Sequence, residues 1–193
     1  MKPETIIEHI SETYSPLTAD CQQAVLASTK ILSLKKNSTL VREGQFSDKT
    51  FYIIRGCARA YYLKDGKDVS DWFAFENEFI SSIVSFFKNE PSPHAIELLE
   101  DSILVEFSRD EIEQLAAKYH DFERLIRVIV TKTMLKQYER IASSQFESAE
   151  QKYTNLLKAH PTITQRVPLT HLASYLGITL ETLSRIRGLK KRI

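Results

Sequence analysis

Between Ile31 and Phe107 the apolar residues fall in short runs: STLV, TFYIIRG, ARAYYL, VSDWFAF, HAIELL and SILVEF. The runs are rich in β-branched and aromatic side chains, and turn residues part them at Glu43-Gly44, Arg55-Gly56 and Asp65-Gly66. Short strands at nearly regular intervals predict a compact β-barrel or sandwich. Asp65-Gly66, set between YYLK and KDVSDWF, is a strong hairpin signal. On both sides of this region the period becomes helical. In residues 1–30, Ile6, Ile7 and Ile10 form one short apolar patch, and Ser15-Pro16 reads as a second helix start with Ser15 as cap. Leu17, Cys21, Ala24, Val25 and Leu26 continue that helix. Ser108 and Glu111 form a capping box that opens SRDEIEQLAAKY.

A longer helix is expected over residues 121–147, roughly 40 Å from end to end at 1.5 Å per residue. Val128, Thr131, Leu135, Tyr138 and Ala142 repeat along it with the 3,4 spacing of a coiled-coil seam. One reading is a core helix lying along the barrel. The other is a dimer helix, and the two can hold on different faces; Lys132 and Glu139, flanking the seam, favour a partner-facing stripe. Ser143-Ser144-Gln145 and Glu147-Ser148 suggest a hinge, and Ser148-x-x-Gln151 starts the next helix. TITQRV then reads as a short connector.

The stretch Val167–Arg187, VPLTHLASYLGITLETLSRIR, predicts two helices joined by a tight turn. Leu169, Leu172, Ala173 and Leu176 give the first an apolar face. Gly177 stands where the chain needs a positive φ, and Thr179 is placed to cap the second helix. Leu183 and Ile186 point back into the same small core. This is the pattern of a helix-turn-helix, whose second helix enters the major groove of DNA. Its outward face carries Thr179, Glu181, Thr182, Ser184 and Arg185. Arg185 suits guanine O6 and N7, and Glu181 suits cytosine N4. Arg187, Lys190, Lys191 and Arg192 suit phosphates. An ordinary αα-hairpin inside a larger helical domain would show the same periodicity.

Charge separates the two readings. Residues 149–193 hold 8 Lys/Arg against 2 Asp/Glu, whereas the rest holds 18 against 23, so the net +1 hides a basic module on an acidic body. The composition, 42% hydrophobic and 26% charged, is that of a soluble globular chain. No apolar run reaches the roughly 20 residues of a membrane span, and the N-terminus does not read as a secretory signal, so a cytoplasmic location is expected. Cys21 and Cys57 are too few for a disulfide framework or an iron–sulfur cluster and read as buried structural thiols. Of the histidines only His94 falls in the β-region, so no metal triad can form there. No Gly-rich phosphate loop, nucleophile elbow or H-E-x-x-H is present, and the chain is not expected to be an enzyme. The stretch from Glu76 to Pro93 breaks the β-rhythm with a helical turn or two beside Phe86 and Phe87. It reads equally as a ligand-cradling insertion or as a surface loop with an aromatic anchor.

The order of a β-barrel, one long helix and a C-terminal helix-turn-helix resembles the Crp/Fnr family of bacterial transcription regulators. The resemblance covers nearly the whole chain and is carried by GQFSDKTFYIIRGCARAYYLKDGK (44–67) and LASYLGITLETLSRI (172–186). Glu181, Ser184 and Arg185 match the family's base-reading positions; Leu180 departs, since some members place Arg there. The sequence closes at Ile193 without the strands that often follow the recognition helix, as in short members from Bacteroidetes-type bacteria. The resemblance implies an α+β fold: a cyclic-nucleotide-binding-like β-roll over residues 1–120, a dimerisation helix over 121–147 with Val128, Thr131, Leu135, Tyr138 and Ala142 at the interface, and a winged-type helix-turn-helix over 148–193. It implies a homodimer on a palindromic operator, with RNA polymerase and a small-molecule effector as further partners. The stretch matching the family's nucleotide pocket supplies Phe79, Ser81, Ser82, Lys88 and His94. The family's Gly-Glu pair for the ribose and its Arg for the cyclic phosphate are missing, and no Arg occurs between Arg59 and Arg109. Cyclic AMP is therefore not the expected effector, and no metal or bound cofactor is expected. The alternative is a sensing module for a nucleotide or other small molecule that lacks specific DNA binding.

Overall fold

The computed structural model describes residues 3–190. Helices α1 (Pro3–Tyr14) and α2 (Ala19–Ser28) precede strands β1 (Lys30–Leu34), β2 (Thr39–Val41), β3 (Lys49–Arg55), β4 (Ala58–Lys64), β5 (Lys67–Ala74) and β6 (Phe79–Ser81). Helix α3 (Ile83–Lys88) follows, then β7 (Ala95–Leu98) and β8 (Ser102–Ser108). The rest is helical: α4 (Arg109–Lys118), α5 (His120–Phe146), α6 (Ala149–Ala159), α7 (Ile163–Arg166), α8 (Leu169–Leu176) and α9 (Leu180–Lys190). No helix among the described residues is long and apolar enough to cross a membrane.

The strands pair into two four-stranded antiparallel sheets, ordered β1-β8-β3-β6 and β2-β7-β4-β5. Successive side chains on a strand point to opposite faces, and that alternation sorts the residues into layers. Phe51, Ile53, Ala58, Ala60, Trp72, Ala74, Ile80, Ile96, Leu98 and Leu104 turn inward and fill the space between the sheets. Tyr52, Val105 and Phe107 turn out from the first sheet to meet α1, α2, α4 and α5. Phe73 and Phe75 turn out from the second sheet to meet Tyr153, Ile163, Val167, Leu172 and Leu176. The helix pair therefore has no apolar core apart from the roll.

Several local expectations hold. Asp65 and Gly66 both have positive φ (53° and 73°), as a two-residue hairpin of this hand requires. Both capping boxes form, Ser108 with Glu111 and Ser148 with Gln151. Gly56 (φ 116°) lies so close to Ser102 that a Cβ there would stand 2.1 Å from Ser102 Oγ. Both cysteines are buried free thiols.

Three expectations need correction. Ser15 caps nothing. Helix α2 starts after Thr18, whose amide and hydroxyl both donate to Asp121 Oδ2 (2.6 and 2.9 Å), so a tie to α5 sets where α2 begins. TITQRV is not a plain connector, because α7 forms within it and presents Arg166. The winged form is not seen among the described residues, where every element after β8 is helical.

Two arginines fasten the helices to the second sheet. Arg59 on β4 is 2% exposed. Its guanidinium donates to both oxygens of Asp68 on β5 (3.1 Å each), to Glu97 on β7 (2.9 Å) and to Ser70 Oγ (3.2 Å). Its Nη1 also meets Nδ1 of His171 on α8 at 2.6 Å. An arginine can only donate, so this ring nitrogen must accept, and His171 is neutral when docked. Beside it, Ser174 Oγ accepts the backbone N–H of Ser70 at 2.9 Å. Arg166 donates to Glu76 (2.7 and 2.8 Å), to Glu100 (3.1 Å from Nε) and to the Gly56 carbonyl (3.0 Å), and covers the Phe75 ring. His160 stacks on that ring at 4.4 Å.

Burial, and then the neighbouring guanidinium of Arg59, hold His171 below the ordinary histidine range; burial lowers His160 as well. Unfolding restores ordinary basicity, near 6.5. The unfolded chain then takes up protons that the folded chain refuses, so this stability is full above about pH 6.5 and is lost as pH falls below it. We expect the thermal midpoint to drop between pH 7.5 and pH 5.5 at fixed ionic strength. A midpoint that stays level or rises over that interval would contradict the neutral docking of these two rings.

Candidate nucleic-acid interface and sensor interior

Helix α8 ends at Gly177 (φ 68°), and the Ile178 N–H reaches back to the Ala173 carbonyl at 3.0 Å, closing the turn. Thr179 Oγ1 accepts the Thr182 N–H at 3.2 Å and so caps α9. Leu172, Ala173, Leu176, Leu183 and Ile186 are buried together. With Leu183 and Ile186 turned inward, Thr179, Glu181, Ser184 and Arg185 are exposed, while Thr182 and Arg187 are half-buried. Backbone and Thr179 hydrogen bonds hold the Glu181 carboxyl below its usual range, which leaves it an acceptor at neutral pH. Leu180 is exposed at the first turn. The side chain of Lys190, together with Lys191 and Arg192, lies outside the described residues.

The five pocket candidates divide. Ile80 points into the roll, so its neighbours on β6, Phe79 and Ser81, point away from it. Phe79 packs against Tyr14, Tyr52 and Phe107 under α1 and does not line the interior. Lys88 is exposed on the last turn of α3. Ser82 and His94 are buried, and Ser82 Oγ and both His94 ring nitrogens have no hydrogen-bond partner among the described residues. The same holds for Nε1 of Trp72, the only tryptophan of the chain. A buried polar group without a partner costs stability. Arg109, at Nε, is a fourth such residue, and Ser82, Trp72 and His94 make the roll the candidate ligand site. The His94 ring lies edge-on to Tyr62 at 5.3 Å, and burial lowers its pKa. Tyr62 and Trp72 escaped the sequence reading because only the pairing of β4 with β7 brings Tyr62 to His94, and only the pairing of β4 with β5 sets Trp72 in the row of Ala60 and Ile96. The alternation in VSDWFAF was the available signal for Trp72.

Helix α5 has two distinct sides. Lys132, Lys136 and Arg140, spaced one turn apart, reach the Thr13 carbonyl (3.0 Å), Glu78 (2.7 Å) and Asp71 (2.7 Å). Lys132 therefore faces the roll and does not flank an open seam. The opposite side exposes Met134 (61%), Leu135 (50%), Tyr138 (69%) and Ile141 (58%). Of the seam read from the sequence, Thr131, Leu135 and Tyr138 lie on this exposed side, whereas Val128 and Ala142 are half-buried.

Residues 31–119 match the family model of the cyclic nucleotide-binding domain. No curated protein matches the sequence. Among solved structures, FixK2 from Bradyrhizobium japonicum is similar, at TM-score 0.70 and 17% identity, over 83% of this chain and 83% of that one. CLP, a c-di-GMP responsive global regulator of Xanthomonas campestris, aligns at TM-score 0.70 and 17% identity over 91% of this chain and 93% of its own. A CooA mutant from Carboxydothermus hydrogenoformans aligns at TM-score 0.67 and 15% identity, covering 87% and 78%. Residues 31–119 thus match the cyclic nucleotide-binding domain family, and the chain that carries them shares the fold of these solved structures.

Proposed function

We propose that this protein is a cytoplasmic, homodimeric, sequence-specific DNA-binding transcription regulator whose β-roll responds to an effector other than cyclic AMP. In this reading residues 1–120 sense, 121–147 dimerise and 148–193 read DNA. The observation that carries it is the face of α9: Glu181, Ser184 and Arg185 stand exposed together while Leu183 and Ile186 anchor the helix from behind. One face offers an acceptor, a hydroxyl and a bidentate donor, which is what base edges in a major groove need. Arg187, Lys190 and Lys191 serve phosphates, and RNA polymerase is a further partner of the bound dimer.

The dimer reading rests on the exposed side of α5. Four large apolar side chains in solvent on one helix face favour a partner, and a second copy laid on the same face buries them isologously. Such a dimer can present two α9 helices one DNA turn, about 34 Å, apart. The effector reading rests on the interior. Ser82, Trp72 and His94 are uncharged groups, and Arg59 faces out from the roll toward α8. A cyclic phosphate would meet no free guanidinium there.

Arg185→Ala should cost about 1–3 kcal/mol per half-site and relax selection at one base pair, checked by gel-shift on specific and random DNA. Equal losses on both would count against base reading. Leu135→Glu places like charges across the two-fold and should give folded monomers that no longer bind operator. Light scattering from a mutant that stays dimeric would move the seam off Leu135, and a monomer that still binds specifically would overturn the dimer mechanism. Calorimetry with millimolar cyclic AMP should show no saturable heat, and a micromolar dissociation constant would refute the effector reading.

A further inference from the structure

Among the described residues the second sheet faces the interior on one side and packs against the DNA-reading helices on the other. On β5, Ser70, Asp71 and Phe73 all turn toward the helices. Ser70 is tied to Ser174 on α8 (2.9 Å), Asp71 to Arg140 on α5 (2.7 Å), and Phe73 lies 5.1 Å from the ring of Tyr175 on α8. Arg140 also covers that Tyr175 ring at 5.0 Å. Between these outward residues Trp72 alone turns inward, into the interior core, with its Nε1 unpartnered. The pairing of β4 with β5 shifts register at this point, so Asp71 is an extra residue in the strand. A bulge is where a strand changes twist most cheaply, and this one carries a helix contact on each side of the indole.

We propose that the sensor signals to the DNA-reading helices directly through the thickness of this sheet, with Trp72 as the inward trigger and the seat formed by Arg59, Ser70 and Phe73 as the outward latch. The inference rests on the sensor-and-reader function proposed above. A ligand that engages the indole N–H pulls on a residue whose neighbours hold α8 on one side and α5 on the other. Displacing Trp72 shifts Ser70 and Phe73, which loosens Ser174 and Tyr175 and, through Arg59, His171. The latch has two arrangements, seated and released, and the coupling is reciprocal: releasing α8 must alter the surroundings of Trp72 as surely as moving Trp72 releases α8. The charged and titratable groups around His171 are Arg59 and Tyr61 on β4, Asp68 on β5 and Glu97 on β7. Asp68 Oδ1 stands 3.8 Å from His171 Nδ1, so once this nitrogen has left Arg59 and taken up a proton it can donate to the carboxylate.

The single tryptophan makes the coupling measurable with neither DNA nor effector, so the test can fail while DNA reading stands, and the reverse. Ser174→Glu in the full-length chain sets a carboxylate against the Asp68 carbonyl and should release the helices. Hydrogen exchange across residues 169–176 should rise about tenfold or more, the equivalent of losing one or two hydrogen bonds. In the same sample Trp72 emission and acrylamide quenching should change, although no substituted atom lies on its side of the sheet. If the glutamate variant loses its β-sheet signal, His171→Ala, which removes the acceptor for Arg59 and adds no charge, is measured the same way. Exchange that stays slow in the folded variant overturns the latch. Fast exchange with unchanged Trp72 emission and quenching overturns the coupling.

Discussion

The buried guanidinium of Arg59 is the constraint on which the arrangement depends. A charge held at 2% exposure is tolerable only when it is paired and its donors are satisfied. Asp68 and Glu97, from the strands on either side, neutralise it within the sheet, and they leave one donor direction open toward α8. His171 fills that direction. The cation therefore stitches β5, β4 and β7 together and, with the same group, aligns α8, the first helix of the C-terminal pair. Arg166 repeats the arrangement at the opposite end of the interface, with Glu76, Glu100 and the Gly56 carbonyl as its acceptors. The apolar contacts around Phe73 and Phe75 supply the bulk of the burial, and the arginines fix its register.

The same division of labour governs α5. Its cations at Lys132, Lys136 and Arg140 are used up against the roll, which is why the side left in solvent is apolar. A helix that spends its charges on intramolecular pairing keeps few on its far side to hold it apart from another copy. The roll, α5 and the α8–α9 pair thus share one set of contacts. Arg140 is the point where they meet, since it touches Asp71 on β5 and Tyr175 on α8.

Much of this was legible in the chain, for reasons that differ by element. The helix pair was readable because its determinants are local: Gly177, Thr179 and an apolar period act within a few residues of each other. The capping boxes at Ser108 and Ser148 and the turn at Asp65-Gly66 were readable for the same reason. The start of α2 was not, because its defining partner, Asp121, lies 103 positions away. The pocket was only partly readable. Strand alternation around Ile80 sends Phe79 and Ser81 outward, but which side of β6 is the inside depends on its pairing with β3. Arg59 resembled any charged residue in a strand. Its role arises from three acceptors brought together by sheet topology and a fourth contributed by a residue 112 positions on.

Helices α8 and α9 sit in one fixed place on the outer face of the roll, held by Arg59, and do not swing freely on a tether. A distance measurement tests it most directly. Spin labels at Lys64→Cys, on the exposed β4–β5 hairpin, and at Glu181→Cys, on the exposed face of α9, report the separation of the two parts, with labelled chain diluted into unlabelled chain. Cys21 and Cys57 are buried and stay unlabelled. A single narrow distance distribution is expected for the chain without ligand, and a broad or two-peaked distribution would contradict a fixed seat for α8 and α9.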